Sequence, residues 1–263
     1  MNRKTMNNIK ELVKRGSATA RGGFRNEDDV VRKFNNWKKD EDAKKWLKIM
    51  NYKLNEIEKV EAIKITGSHK TDVQVKIKVY LKNAIAAENI SVKLVSRHSG
   101  FNQIDKRWID KYKELWNMPS NVVKILKLFT GEIKPRKNNS KNKRRMFLDE
   151  MKKKDRDVII DFFESNKFLV VADILKGRDK LSVAWMLIYI KPKNLWTLLP
   201  MSVVMNFYGN GPVRIADRGS LKIGRIGMQR KGGDGGRITA TMLQFKINPV
   251  EIVNQIKNDG QDN

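Results

Sequence analysis

The chain has 263 residues, of which 55 are Lys or Arg and 29 are Asp or Glu, so its formal charge is +26. The length allows one large domain or two small ones around a real core. Positive charge spread along the whole chain points to a polyanion bound in a salt-dependent way, while the absence of cysteine excludes disulfides and thiolate zinc sites.

Two histidines, His69 and His98, are too few for most imidazole-built metal centres. The N-terminal stretch MNRKTMNNIKELVKRG has no apolar core of a secretory signal. The longest apolar run, Val183 to Ile190, falls far short of the roughly 20 residues a membrane span needs. A soluble, cytoplasmic protein with no membrane partner is expected.

The first helix is expected after Gly22-Gly23, with Asn26 as N-cap and Glu27, Asp28 and Asp29 at the positive end of the helix dipole. Val30, Val31, Phe34 and Trp37 supply the helical period. Glu27 is three residues before Val30 and seven before Phe34, on the apolar face, whereas Asp28 and Asp29 lie off it. An inward acid is noteworthy, although a first-turn Glu also serves as a plain dipole partner. A second helix, Asp42 to Met50, carries Ala43, Trp46, Leu47 and Met50, and Leu54, Ile57, Val60 and Ile63 lead into a sheet.

A strand beginning at Thr71-Asp72 alternates through Val73, Val75, Ile77 and Val79. A polar link from Lys82 to Glu88 precedes a second strand, in which Ile90, Val92 and Leu94 point one way and Ser91, Lys93 and Val95 the other. Asp72 and Lys93 on neighbouring strands, facing one side, can hold a divalent metal and a water beside a phosphate. An ion pair on a solvated sheet face is the alternative.

The turn from Arg97 to Gln103 is expected to run straight into a helix marked by Trp108, Ile109, Tyr112, Leu115 and Trp116. In a basic protein, Asn102 and Gln103 suit base-edge hydrogen bonds and Phe101 a wedge or stacking group. Phe101 as a hydrophobic staple is the alternative. A helix from Val122 to Phe129 ends at Gly131, followed by seven basic residues and no acid between Lys134 and Arg145, a phosphate-attracting arm. Arg156 to Phe163 is expected to be helical, and Lys167 to Leu175 and Val183 to Ile190 to be strands.

Leu221 to Met228 has an imperfect strand pattern, and Leu243 to Ile247 a clearer one. Between them Gly232, Gly233, Gly235 and Gly236 surround Asp234, with Arg230, Lys231 and Arg237 crowding the tip. A β-ribbon with arginines at its turn fits a DNA groove. No GxxxxGK[ST] run supports a nucleotide site.

Taken in order from about Gly16 to Val250, the stretches GSATARGGFRNEDD, TD followed by SVKLVS, GFNQIDKRW, KNKRRMF, ADILKGR and QRKGGDGGRITATMLQFKI resemble the HinP family of type II restriction endonucleases, which cut GCGC. The resemblance implies an α/β fold of the restriction-endonuclease-like, PD-(D/E)xK type, a mixed sheet flanked by helices. It implies a single endonuclease domain over 1–263, with a catalytic core over about 20–200 and a C-terminal DNA-recognition ribbon over about 215–250. By position, Asp72 corresponds to the metal-binding aspartate and Lys93 to the catalytic lysine. Ser91 stands where most such nucleases carry Glu or Asp, and where the HinP pattern has Gln. The metal, Mg²⁺, would then fall mainly to Asp72 and the Val92 carbonyl, with Glu27 as a helical helper.

The DNA-reading segments implied are Phe101, Asn102, Gln103 and Lys106, then Arg144 and Arg145, then Arg230, Lys231, Asp234 and Arg237. The implied partners are double-stranded DNA and a cognate DNA methyltransferase protecting the same site, with the nuclease a monomer or homodimer. Ser91 keeps a second reading open, a catalytically weak or inactive sequence-specific DNA-binding descendant. Charge alone also suits a ribosomal-type RNA binder, which would leave the Asp72, Ser91 and Lys93 arrangement unexplained.

Overall fold

The computed structural model describes residues 25–66, 73–97, 100–135, 141–233 and 237–259. Their contacts fall into two compact units, each assembled from separate stretches of chain.

The first unit takes the described residues up to 102, together with 175–204 and 248–259. It opens with helix α1 (25–35) and helix α2 (Glu41–Ile49). Strands β1 (Ile57–Thr66), β2 (Val73–Leu81) and β3 (Ala84–Val95) follow. The chain leaves through β4 (Asn102–Arg107) and returns as β5 (Trp185–Ile190) and β6 (Leu195–Pro200). The sheet order is β1-β2-β3-β5-β6, with β3 and β5 parallel and the other pairs antiparallel.

Local chemistry explains these elements. The Asp40 carboxylate caps α2 by accepting from the Ala43 amide at 2.9 Å, and Glu41 and Asp42 complement the helix dipole. Val75, Ile77 and Val79 of β2 pack with Val30 and Phe34 of α1 and with Trp46 and Leu47 of α2 in one apolar core. Trp46 meets Phe34 at a tilt and Trp196 edge-on, with ring centroids 5.3 and 5.2 Å away. On β3, Ile90 to Lys93 and Val95 are all buried, as a central strand covered on both faces requires.

Two expectations here are corrected. Asn26 lies inside α1 and is buried, because it shares the four-residue spacing of Val30 and Phe34 on the inward face. The polar link is only the two residues Lys82 and Asn83, since Leu81 pairs with Ala84 and β3 already includes Glu88. Glu88 tolerates the strand because Tyr52 Oη and Trp185 Nε1 donate to its carboxylate at 3.0 and 3.1 Å. Burial first, then that carboxylate, pushes the Tyr52 hydroxyl pKa up.

The second unit takes 103–174 and 205–247 among the described residues. Its helices are α3 (Ile109–Trp116), α4 (Ser120–Thr130), α5 (Lys153–Ser165), α6 (Lys167–Leu175) and the later part of α7 (Met201–Gly209). Strands β7 (Val213–Ile215), β8 (Leu221–Ile223), β9 (Ile226–Arg230) and β10 (Leu243–Ile247) join β4 in a second sheet, ordered β4-β10-β9-β8-β7. Tyr112, Trp116, Phe163 and Phe245 form its aromatic centre.

Four further readings change from β4 onward and just before it. Asn102 to Arg107 form a strand before the helix, because their polar side chains are partly buried in an ion network rather than solvated. Phe101 is 58% exposed, so it is no staple. Lys167 to Leu175 is helical, burying Val170, Val171 and Ile174 on one side and exposing Phe168 and Leu169; a short apolar run does not separate the two periods. Leu221 to Met228 is two strands, turned by Gly224 at φ +56°, where a Cβ would stand 2.6 Å from the Tyr208 and Asn210 carbonyl oxygens.

Candidate functional site

In the first unit, the central strand β3 places Ser91 and Lys93 on the face opposite Val92, by the two-residue pleat. Both are buried, at 4% and 5% exposure. Their neighbours on β5 are Met186 and Ile188, also buried, so the two polar side chains have an apolar wall beside them. On the other side, β2 sets Gln74 directly opposite Ser91. Gln74 is 2% exposed, and its side-chain carbonyl oxygen has no hydrogen-bond partner among the described residues. Along the same face of β2, Lys76 is half-buried and Lys78 exposed, so the covering thickens toward the end where Gln74 and Ser91 meet.

Asp72 lies outside the described residues, one position before β2 in the chain. Glu27 sits in the first turn of the described part of α1 at 8% exposure. Lys64 of β1 stands 3.3 Å from the Glu27 carboxylate and 3.0 Å from that of Asp28. Among the described residues, no group of three or more His, Cys, Asp or Glu is gathered closely enough to hold a metal ion. Lys64 pairs with Val75, so Glu27 and Lys64 lie on the face where α1 packs, opposite to that of Gln74, Ser91 and Lys93. What the latter face offers is oxygen donors and an amine, the donor chemistry of hard divalent cations rather than of zinc.

The second unit carries the basic residues expected to meet DNA. Arg145 lies over the Phe147 ring, 3.9 Å from its centroid, and 5.4 Å from that of Phe129. Burial and then the positive charge of Arg230 pull its pKa below the usual arginine value. Arg230 is likewise lowered, by burial and then by Arg144, while its Nε donates to the Ala240 carbonyl at 2.9 Å. Three guanidinium groups from two separate segments therefore share one neighbourhood, and none has an ion pair with a described carboxylate. Gly131 permits the approach of the first segment: at φ +84° it ends α4, and a Cβ there would overlap the Arg144 carbonyl oxygen.

On β4, Asn102, Gln103 and Lys106 are half-buried. Lys231 is half-buried after β9, Gly232 and Gly233 adopt left-handed φ of +64° and +63°, and Arg237 is exposed. Asp234 lies outside the described residues.

Sequence reasoning passed over two features of consequence. Gln74 was one of three polar residues interleaved with the valines of β2; its shared parity with Asp72 was the available signal. The other is a buried ion network holding β4. Arg107 contacts Asp105 and Asp173 at 2.8 Å each, Trp116 Nε1 donates to Asp173 at 2.9 Å, and Tyr112 Oη donates to Asp105. Burial alone would lower the Arg107 pKa, but Asp105 and Asp173 outweigh it and hold the group above its usual value.

A family model described as R.HinP1I restriction endonuclease matches residues 50–253, a span that includes Asp72, Ser91 and Lys93 but not Glu27. The fold is similar to the crystal structure of the restriction endonuclease MspI in complex with its cognate DNA. That similarity has a TM-score of 0.56 at 13% identity, over 84% of this chain and 87% of that one. A search of curated protein sequences finds no match.

Proposed function

The chain belongs to the R.HinP1I restriction endonuclease family and is a type II site-specific deoxyribonuclease, and from that premise we propose Mg²⁺-dependent hydrolysis of double-stranded DNA at a short GC-rich palindrome, GCGC. The observation that carries the reading is the buried pair Ser91 and Lys93 on one face of the central strand β3, beside the apolar Met186 and Ile188 of β5. A buried lysine on such a strand is costly unless it has a task or a partner. The arrangement is the PD-(D/E)xK pattern with serine in its second carboxylate position.

In this proposal Asp72 and the Val92 carbonyl hold the cation, Ser91 contributes at most through water, and Glu27 is an accessory carboxylate that Lys64 neutralises meanwhile. The donors fit Mg²⁺, because all are oxygens and a buried carbonyl on the same face lacks a partner among the described residues. When bound, Mg²⁺ offsets the charge that develops on the scissile phosphate and its leaving oxygen. Lys93 orients the attacking water for in-line approach and favours its hydroxide form. Recognition combines phosphate contacts from Arg144, Arg145, Lys106 and Lys231 with base-edge contacts from Asn102, Gln103, Arg230 and Arg237, Phe101 acting as a wedge.

A cognate methyltransferase protecting the same sequence is the expected partner, and the nuclease acts as a monomer or a homodimer. No described helix is long and apolar enough to cross a membrane; a cytoplasmic site of action is part of the proposal.

Incubating the purified protein with plasmid DNA and Mg²⁺ and sequencing the fragment ends tests the reading. Ends sharing GCGC support it, and random ends refute the recognition half. Tight duplex binding with no divalent-dependent product would favour the second reading, a binding-only descendant, for which the uncharged Ser91 is the specific observation.

A further inference from the structure

Gln74 carries a buried polar atom that the chemistry above leaves without a role. We infer that Gln74 is a divalent-metal ligand, its side-chain carbonyl oxygen replacing the donor that Ser91 is too short and uncharged to supply. The inference rests on the proposed site of Asp72 and Lys93.

The geometry is that of a cross-strand exchange. Gln74 and Ser91 are register partners on β2 and β3, so their side chains rise from the same face a single strand spacing apart. Lys93 is two residues along β3 on that face, and Asp72 is two residues before Gln74 in the chain. A serine hydroxyl ends one carbon from the backbone, whereas a glutamine carbonyl lies two methylenes further out. The longer arm on one strand can therefore occupy space left by the shorter arm on the other.

The energetics point the same way. The Gln74 carbonyl oxygen is buried without a partner among the described residues, and the residue is 2% exposed. An unpartnered buried amide oxygen is disfavoured. Amide carbonyls are regular oxygen ligands for hard divalent cations, so a bound cation would satisfy the atom. A neutral amide in place of a second carboxylate also lowers the negative charge facing the cation, which makes binding weak until a DNA phosphate contributes its own oxygen.

Mn²⁺ titrated into the full-length protein, with and without a GCGC duplex, tests the assignment, with free Mn²⁺ read by electron paramagnetic resonance and folding by melting curves. Gln74→Leu is expected to weaken Mn²⁺ binding by about tenfold or more while raising the melting temperature. Gln74→Glu should tighten binding, and Ser91→Ala should change it by less than about threefold. If Gln74→Leu binds Mn²⁺ like the parent while Asp72→Ala loses it, the site stands and Gln74 is an ordinary buried amide. If Asp72→Ala also binds normally, the underlying site is misplaced. Should Gln74→Leu fail to fold, Gln74→Glu decides, and unchanged affinity in that variant overturns the assignment.

Discussion

Truncating Asp173 to alanine should unfold much of what anchors β4. The carboxylate is 3% exposed and receives Arg107 Nη1 at 2.8 Å and Trp116 Nε1 at 2.9 Å on the same oxygen. Breaking a buried ion pair by removing one partner costs about 3–5 kcal/mol. Asp105 remains 2.8 Å from Arg107, so the loss belongs at the lower end, about 3 kcal/mol. That is a large share of the ~5–15 kcal/mol available to a typical domain. Asp173→Asn keeps an acceptor for Trp116 but loses the charge, and about half the penalty is expected, ~1–2 kcal/mol. Urea unfolding measures the total. Hydrogen exchange in β4, α3 and α6 shows where it falls, which matters in a chain of two units for which a single two-state transition is not assured. A loss below about 1 kcal/mol for the alanine variant would refute the reasoning, since charge-assisted bonds alone account for more. Equal losses for Asn and Ala would show that charge, not packing or the Trp116 bond, carries the whole effect.

Asp72→Ala should abolish divalent-dependent cutting and leave duplex affinity equal or tighter, because a carboxylate that repels phosphate has gone; cleavage and gel-shift assays on one preparation check both halves. Arg144→Ala should reduce the slope of log affinity against log salt by about 1, with no loss of melting temperature, since it relieves the repulsion that lowers the Arg230 pKa. Glu132 is raised in pKa chiefly by burial, against the pull of Lys127. A carboxylate raised on folding withholds stability above its folded pKa and returns it as pH falls toward the unfolded value of about 4.3. Glu132→Gln should therefore melt higher than the parent near pH 7, and the gap should close as pH approaches 4.

How much of this was readable beforehand depended on which period the burial followed. β2 and α2 declared themselves, because one face of each is apolar at the right spacing and the other is charged. β4 did not: Asn102 to Arg107 alternates nothing, since buried Asp105 and half-buried Arg107 pair with each other and Arg107 also pairs with Asp173 on α6, 66 positions further on. Such a strand is stabilised by a partner that no local window contains. α6 failed for the opposite reason, its apolar run being too continuous to carry a period while Phe168 and Leu169 remain exposed. The hairpin at Gly224 was hidden because a glycine within an alternating run marks a bulge as readily as a turn. The interleaving of both units from separate stretches was equally out of reach, since composition hardly changes where the chain passes from one to the other.

The polar residues buried in the two units separate structural from chemical use. In the second unit, Arg107 contacts both Asp105 and Asp173 at short range, and Tyr112 and Trp116 donate to the two carboxylates. A buried network of this kind rigidifies the backbone that carries it. In the first unit the balance is different. Gln74 keeps a buried acceptor with no described partner, opposite a serine where a carboxylate would be expected. On the inference drawn above, that acceptor, with Lys93 on the same face and Asp72 two residues before it in the chain, would be met by a group that arrives with positive charge. The same logic applies to Arg144, Arg145 and Arg230 with the sign reversed: their mutual repulsion, only partly offset at Arg145 by Glu150, would be relieved by a phosphate.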